Sequence, residues 1–76
     1  MTPSLLQRVG VALYGTLWRG SLADELDVRD DTVRQWLSGR MDVPPGVVVE
    51  LRGLLADRRG MINNLLCDLA VEEEKT

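Results

Sequence analysis

The sequence predicts an all-α fold, a compact domain of five helices. Three observations lead there. Apolar residues recur three and four positions apart through most of the chain, the period of a helix with one buried face. No window shows convincing alternation of apolar and polar residues, and the one β-branched run, Val47-Val48-Val49, leads on into helical spacing. Helix starts and stops at Thr2-Pro3, Ser21, Gly39, Pro44-Pro45 and Gly60 divide the chain into short segments.

Each helix has its own signals. Thr2 is a capping residue, and Pro3 suits the first helical position, where a missing N–H does no harm. Leu5, Leu6, Val9, Ala12 and Leu13 then form an apolar face that closes near Gly15. Tyr14, Leu17 and Trp18 supply apolar bulk around the bend. The second helix starts at Ser21, with Asp24 three residues on as a near capping box, and ends at Leu26. Asp27 marks the turn, being one of the few non-glycine types that tolerate a left-handed backbone. The third helix runs from about Asp30 to Ser38, with Val33, Trp36 and Leu37 inward and Gly39 as its stop. Two prolines keep the linker at 40–46 out of a helix. A fourth helix at 47–59 carries Val47, Val48, Leu51, Leu54 and Leu55. Gly60 reads as a break before a fifth helix with Met61, Ile62, Leu65, Leu66, Leu69 and Ala70. One domain at 1–71, with its C-terminal helices at about 47–71, is therefore followed by a charged, frayed tail at 72–76.

Length and composition narrow the function. At 76 residues there is one small domain, 45% hydrophobic and 28% charged, as in ordinary soluble proteins. The chain has no histidine and one cysteine, Cys67. A histidine-based triad or metal site and an internal disulfide are thus excluded, and no cofactor is expected. No nucleophile, phosphate loop or pocketed carboxylate pair suggests an enzyme. No apolar run is long enough for a membrane span, and the start MTPSLLQRVG is unlike a signal peptide. A cytoplasmic protein with a reduced thiol is expected, its Cys67 buried among Leu65, Leu66 and Leu69. Nothing points to a small-molecule ligand. The net charge of −3 argues against a nucleic-acid binder, whose footprint is usually basic.

The segment at 19–40, RGSLADELDVRDDTVRQWLSGR, points the other way. Two short helices flank a turn of about four residues, which is helix-turn-helix spacing. Ala23 is small enough for the helices to approach closely. Leu22, Leu26, Val28, Val33 and Trp36 are apolar at the positions a crossing of this kind buries. Asp30, Asp31, Arg34, Gln35 and Ser38 are left outside.

This stretch resembles the small Cro/Xre-like helix-turn-helix regulators of phages and bacteria, whose LA-x-x-LGV-x-x-x-TV-x-x-W-x-x-G-R pattern it follows, with Asp27 where the family has glycine. The resemblance implies a lambda-repressor-like fold and a sequence-specific DNA-binding regulator, a repressor on a palindromic operator. It places the helix at 30–38 in the major groove of double-stranded DNA. Arg29, Asp30, Asp31, Arg34 and Gln35 would then face base edges or adjacent phosphates, with Arg34 suited to guanine and Gln35 to adenine. Thr32 and Ser21 would touch phosphate, and Arg19 and Arg40 would add charge neutralisation.

Asp30 and Asp31 stand where phosphates approach, and three readings of them remain open. They favour the helix dipole, or one accepts a hydrogen bond from cytosine, or they mark a helix-turn-helix that binds protein instead of DNA. That last reading makes the chain an interaction module or a phage-type inhibitor. The apolar stripe of Met61, Ile62, Leu65, Leu66 and Leu69 is broader than so small a core needs. It suggests a homodimer interface, against the alternative of packing on the first helix. Charge is uneven as well. Residues 71–76 hold three Glu and one Lys, while 29–40 hold three Arg against two Asp.

Overall fold

A computed structural model describes residues 1–75 as four α-helices and one short 3-10 turn, with no strand among them. The helices are α1 (Pro3–Tyr14), α2 (Trp18–Leu26), α3 (Asp30–Ser38) and α4 (Pro45–Lys75), and Gly15–Leu17 forms the 3-10 turn. The all-α expectation is met; the count of five helices is not.

α1 starts as its sequence demands. The Leu5 N–H donates to Thr2 Oγ1 at 3.1 Å, and Pro3 opens the helix. Leu6, Gly10 and Leu13 form its buried line, whereas Leu5 and Ala12 are exposed. Gly10 is there for room: a Cβ at that position would run into the Trp18 indole. A glycine inside a helix costs about 1 kcal/mol relative to alanine, and the close seat of Trp18 is what that cost allows. α1 ends at Gly15, with φ +80°, whose N–H reaches back to Val11 O.

α2 begins at Trp18, a full turn before the expected Ser21. The 3-10 turn feeds straight into the helix, so Ser21 is an exposed interior residue and no side chain caps the start. The bend does not bury everything apolar. Trp18 is buried, while Leu17 is 86% exposed.

Both short helices end in the same way. At Asp27 (φ 55°, ψ 46°) the backbone turns left-handed; the Asp27 N–H reaches Asp24 O and the Val28 N–H reaches Ala23 O. At Gly39 (φ 80°, ψ 4°), the Gly39 N–H bonds to Trp36 O and the Arg40 N–H to Gln35 O. Each is a Schellman closure that satisfies carbonyls the helix would otherwise leave open. Asp27 is the only non-glycine residue with positive φ among those described. Only residues 27–29 separate α2 from α3.

The core lies where α1, α2, α3 and the start of α4 meet. Leu6, Leu22 and Val33 are fully buried, with Trp18, Trp36, Val43 and Leu51 around them. Leu26, Val28 and Leu37 pack on its edge.

α4 corrects the sequence reading most. Pro45 is its first residue, because a first-turn proline gives up an N–H that has no helical partner. Pro44 O accepts from the Val47 and Val48 N–H groups. Gly60 does not break the helix, and the expected fourth and fifth helices are one, because a glycine inside a helix costs only about 1 kcal/mol relative to alanine. The 72–75 tail is helical too, and Thr76 lies outside the described residues. At 1.5 Å per residue α4 is about 46 Å long. It sets the long dimension of a 53 × 22 × 21 Å molecule. Its first part packs through Leu51, with Val47, Val48 and Leu54 half-buried, but residues 59–75 are all exposed. Cys67, expected in a core, is exposed with them.

Candidate nucleic-acid interface

α3 divides cleanly into two faces. Val33 and Trp36 enter the core, and Asp30, Asp31, Arg34, Gln35 and Ser38 face outward. The two acids occupy the first turn, where negative charge favours the helix dipole. Arg29 precedes the helix and is exposed, and Thr32 is half-buried with its N–H on Arg29 O at 2.9 Å.

On the outward face, Arg34 Nε stands 3.3 Å from Asp30 Oδ2, an i,i+4 ion pair with both side chains more than half exposed. Exposure and screening limit its worth to stability to at most a few tenths of a kcal/mol. Its effect on geometry is larger. The contact runs through Nε and holds the side chain along the outward face, and the guanidinium fork has the donors that match guanine O6 and N7.

Two shallow hollows flank this pair. One is lined by Thr16, Leu17, Arg19, Gly20, Asp30 and Arg34, and the other by Asp31, Arg34, Gln35, Ser38 and Arg40. Arg34 belongs to both. The surface thus gathers Arg19, Asp30, Asp31, Arg34, Gln35 and Arg40 into one continuous strip. Ser21 lines neither hollow, and neither do Arg29 and Thr32. Thr16 and Leu17 are additions that the sequence reading missed. The signal for them was the position of Trp18: once the tryptophan is buried at the head of α2, the residue before it is turned outward.

Charge is concentrated here. Within the strip Arg19, Arg34 and Arg40 outnumber Asp30 and Asp31 by one, in a chain whose total is −3. The acidic excess therefore lies elsewhere, much of it at residues 72–74 of the far end of α4.

Other site chemistry is thin. Among the described residues no group of three or more His, Cys, Asp or Glu is placed to hold a metal ion, and no helix is long and apolar enough to cross a membrane. Tyr14 has its phenol pushed above the ordinary 10.0, chiefly by burial and next by the charge of Glu25, against the opposing pull of Arg58. The Arg58 guanidinium lies over the Tyr14 ring, 5.8 Å from its centre. Comparison with family models, with curated proteins and with solved structures finds no match to this chain.

Proposed function

We propose that the protein is a cytoplasmic, sequence-specific DNA-binding regulator of the helix-turn-helix type, a repressor that acts as a homodimer on a palindromic operator. In this reading α2 and α3 are the two helices of the motif and α3 enters the major groove. The observation that carries it is the Asp30–Arg34 pair: an exposed arginine held at Nε on an outward helix face, with Gln35 beside it. Arg34 reads guanine and Gln35 reads adenine. Arg19 and Arg40, in the hollows on either side, and Arg29, ahead of the helix, neutralise phosphates and fix the register.

The same pair gives Asp30 a role compatible with DNA. Its charge is spent locally on Arg34, so it orients the reading residue as well as favouring the helix dipole. Asp31 has only the dipole role, and it weakens non-specific attraction to phosphate.

The experiment is a gel shift on a palindromic site in the DNA upstream of the protein's own coding sequence. Wild type is expected to shift it, and Arg34→Ala to lose the shift. Unchanged binding by Arg34→Ala overturns the assignment of α3.

Net acidity favours a second reading, a module of the same shape that binds protein. A DNA–cellulose column separates the two. A DNA binder is retained at low salt and released as salt rises, because counterion release governs its affinity. Flow-through at low salt supports the protein-binding module.

A further inference from the structure

We infer that a second copy of this chain packs antiparallel along the free half of α4, on a two-fold axis between Leu65 and Leu66. Within the dimer proposed above, this fixes the orientation of the two chains.

The first ground is that this half of the helix lacks support. Residues 59–75 make no buried contact, yet they include Gly60, Asn63, Asn64 and Val71, none of them strong helix formers. In proteins most helical stability comes from packing of an apolar face rather than from propensity. Packing of its apolar face is what usually sustains such a segment.

The second ground is the face itself. Ile62, Leu65, Leu66 and Leu69 recur at helical spacing and are each 50–61% exposed. They continue, on the same side of the helix, the line of Leu51, Leu54 and Leu55 that meets the core. Met61 flanks them. Two such stripes together offer on the order of 1,000 Å² of contact, about where specific interfaces begin.

The third ground is charge, and it chooses the orientation. Arg58, Leu65 and Glu72 are spaced by seven, and so are Arg59, Leu66 and Glu73. The stripe thus has two arginines at one end and two glutamates at the other, symmetric about Leu65 and Leu66. An antiparallel pair brings Arg58 and Arg59 of each copy level with Glu72 and Glu73 of the other. It also sets Ile62 against Leu69 and Leu65 against Leu66. A parallel pair would set arginine against arginine and glutamate against glutamate. Three of the four groups have neighbours in their own chain: Glu72 has Lys75 at 3.6 Å, Arg58 lies over Tyr14, and Glu73 is engaged as well, while Arg59 is exposed; the Glu72–Lys75 contact is two-thirds exposed and easily shared. A lipid surface suits the stripe poorly, because glutamates close one end of it.

The two bodies then lie at opposite ends of the paired helices. The Leu51 residues are about 44 Å apart along the axis.

Sedimentation and cysteine pairing test this on the full chain, with exposed Cys67 changed to Ser. Neither Ile62 nor Leu69 touches the core, so Ile62→Cys and Leu69→Cys leave the body folded. Wild type is expected to sediment as a dimer at micromolar concentration. Oxidation of the two cysteine variants mixed together is expected to give a disulfide-linked pair, with little linkage in either alone. Equal positions are about 10 Å apart along the axis in the antiparallel pair, beyond disulfide reach. Glu72→Arg/Glu73→Arg is expected to weaken association roughly tenfold by turning attractions into repulsions. Efficient linkage of each cysteine variant with itself, association unaffected by the arginine variant, or a monomer, whether or not it adsorbs to vesicles, overturns the proposal. None of these readouts involves DNA, so the dimer orientation and the DNA reading fail separately.

Discussion

Asp30 holds Arg34 by its Nε at 3.3 Å, one helical turn apart on the open face of α3. The contact is too exposed to stabilise the fold appreciably, and its consequence lies in what the arginine presents. Asp30→Asn removes a negative charge from a DNA-facing strip and at the same time frees the guanidinium. Two opposite effects follow. Affinity for random DNA rises, and the preference for the operator over random DNA falls roughly tenfold, within the span of one good base contact. Fluorescence anisotropy with both DNAs measures the two changes side by side.

Phosphate contacts predict a salt dependence. Arg19, Arg29 and Arg40 from each of two copies neutralise six phosphates, so log affinity is expected to fall against log salt with a slope of about −5. Arg19→Ala removes two of the six from the dimer and makes the slope shallower by about 2, with similar loss on every sequence. Arg34→Ala instead acts mainly on sequence preference.

Gly10 and Asp27 predict stability changes of opposite sign. In Gly10→Ala the new methyl meets the buried Trp18 indole. Overpacking of about 1–3 kcal/mol outweighs a helix-propensity gain of about 1 kcal/mol. Thermal melting is expected to drop by several degrees. Asp27→Gly removes the strain of a left-handed aspartate at a Schellman closure and is expected to add about 0.5–1 kcal/mol. The same melts report both.

Tyr14 predicts a change at high pH. Its phenol is raised above 10.0, so the folded state holds the proton more tightly than the unfolded state does. The stabilisation it brings is complete below the unfolded value and is lost as pH rises through the folded one. It is the only tyrosine, so phenolate absorbance follows it alone. The midpoint is expected above 10.0 in wild type, closer to it in Glu25→Gln, and higher still when Arg58 is replaced.

Much of this architecture was legible in the residues. Thr2-Pro3 announced α1, Asp27 and Gly39 marked the left-handed closures, and the limits of α3 matched from Asp30 to Ser38. What failed did so where local signals met a longer-range cause. Ser21 has capping chemistry, but the seat of Trp18 against Gly10 starts α2 earlier. Gly60 and Pro45 were weighed as breakers, although a proline is harmless in a first turn and one mid-helix glycine costs only about 1 kcal/mol. Cys67 stood among leucines in sequence, yet it points away from their stripe. At the site, the residue types were readable, but the readings of Asp30 did not include its i,i+4 pairing with Arg34. The hollow beside Arg19 was not readable, because it depends on where α2 begins.

Selection of bound sequences from random DNA decides whether α3 reads DNA through Arg34. An enriched palindrome with a guanine in each half-site is expected, its preference disappearing when Arg34→Ala is selected in parallel. No enrichment with wild type, or the same guanine enriched by both proteins, would contradict it.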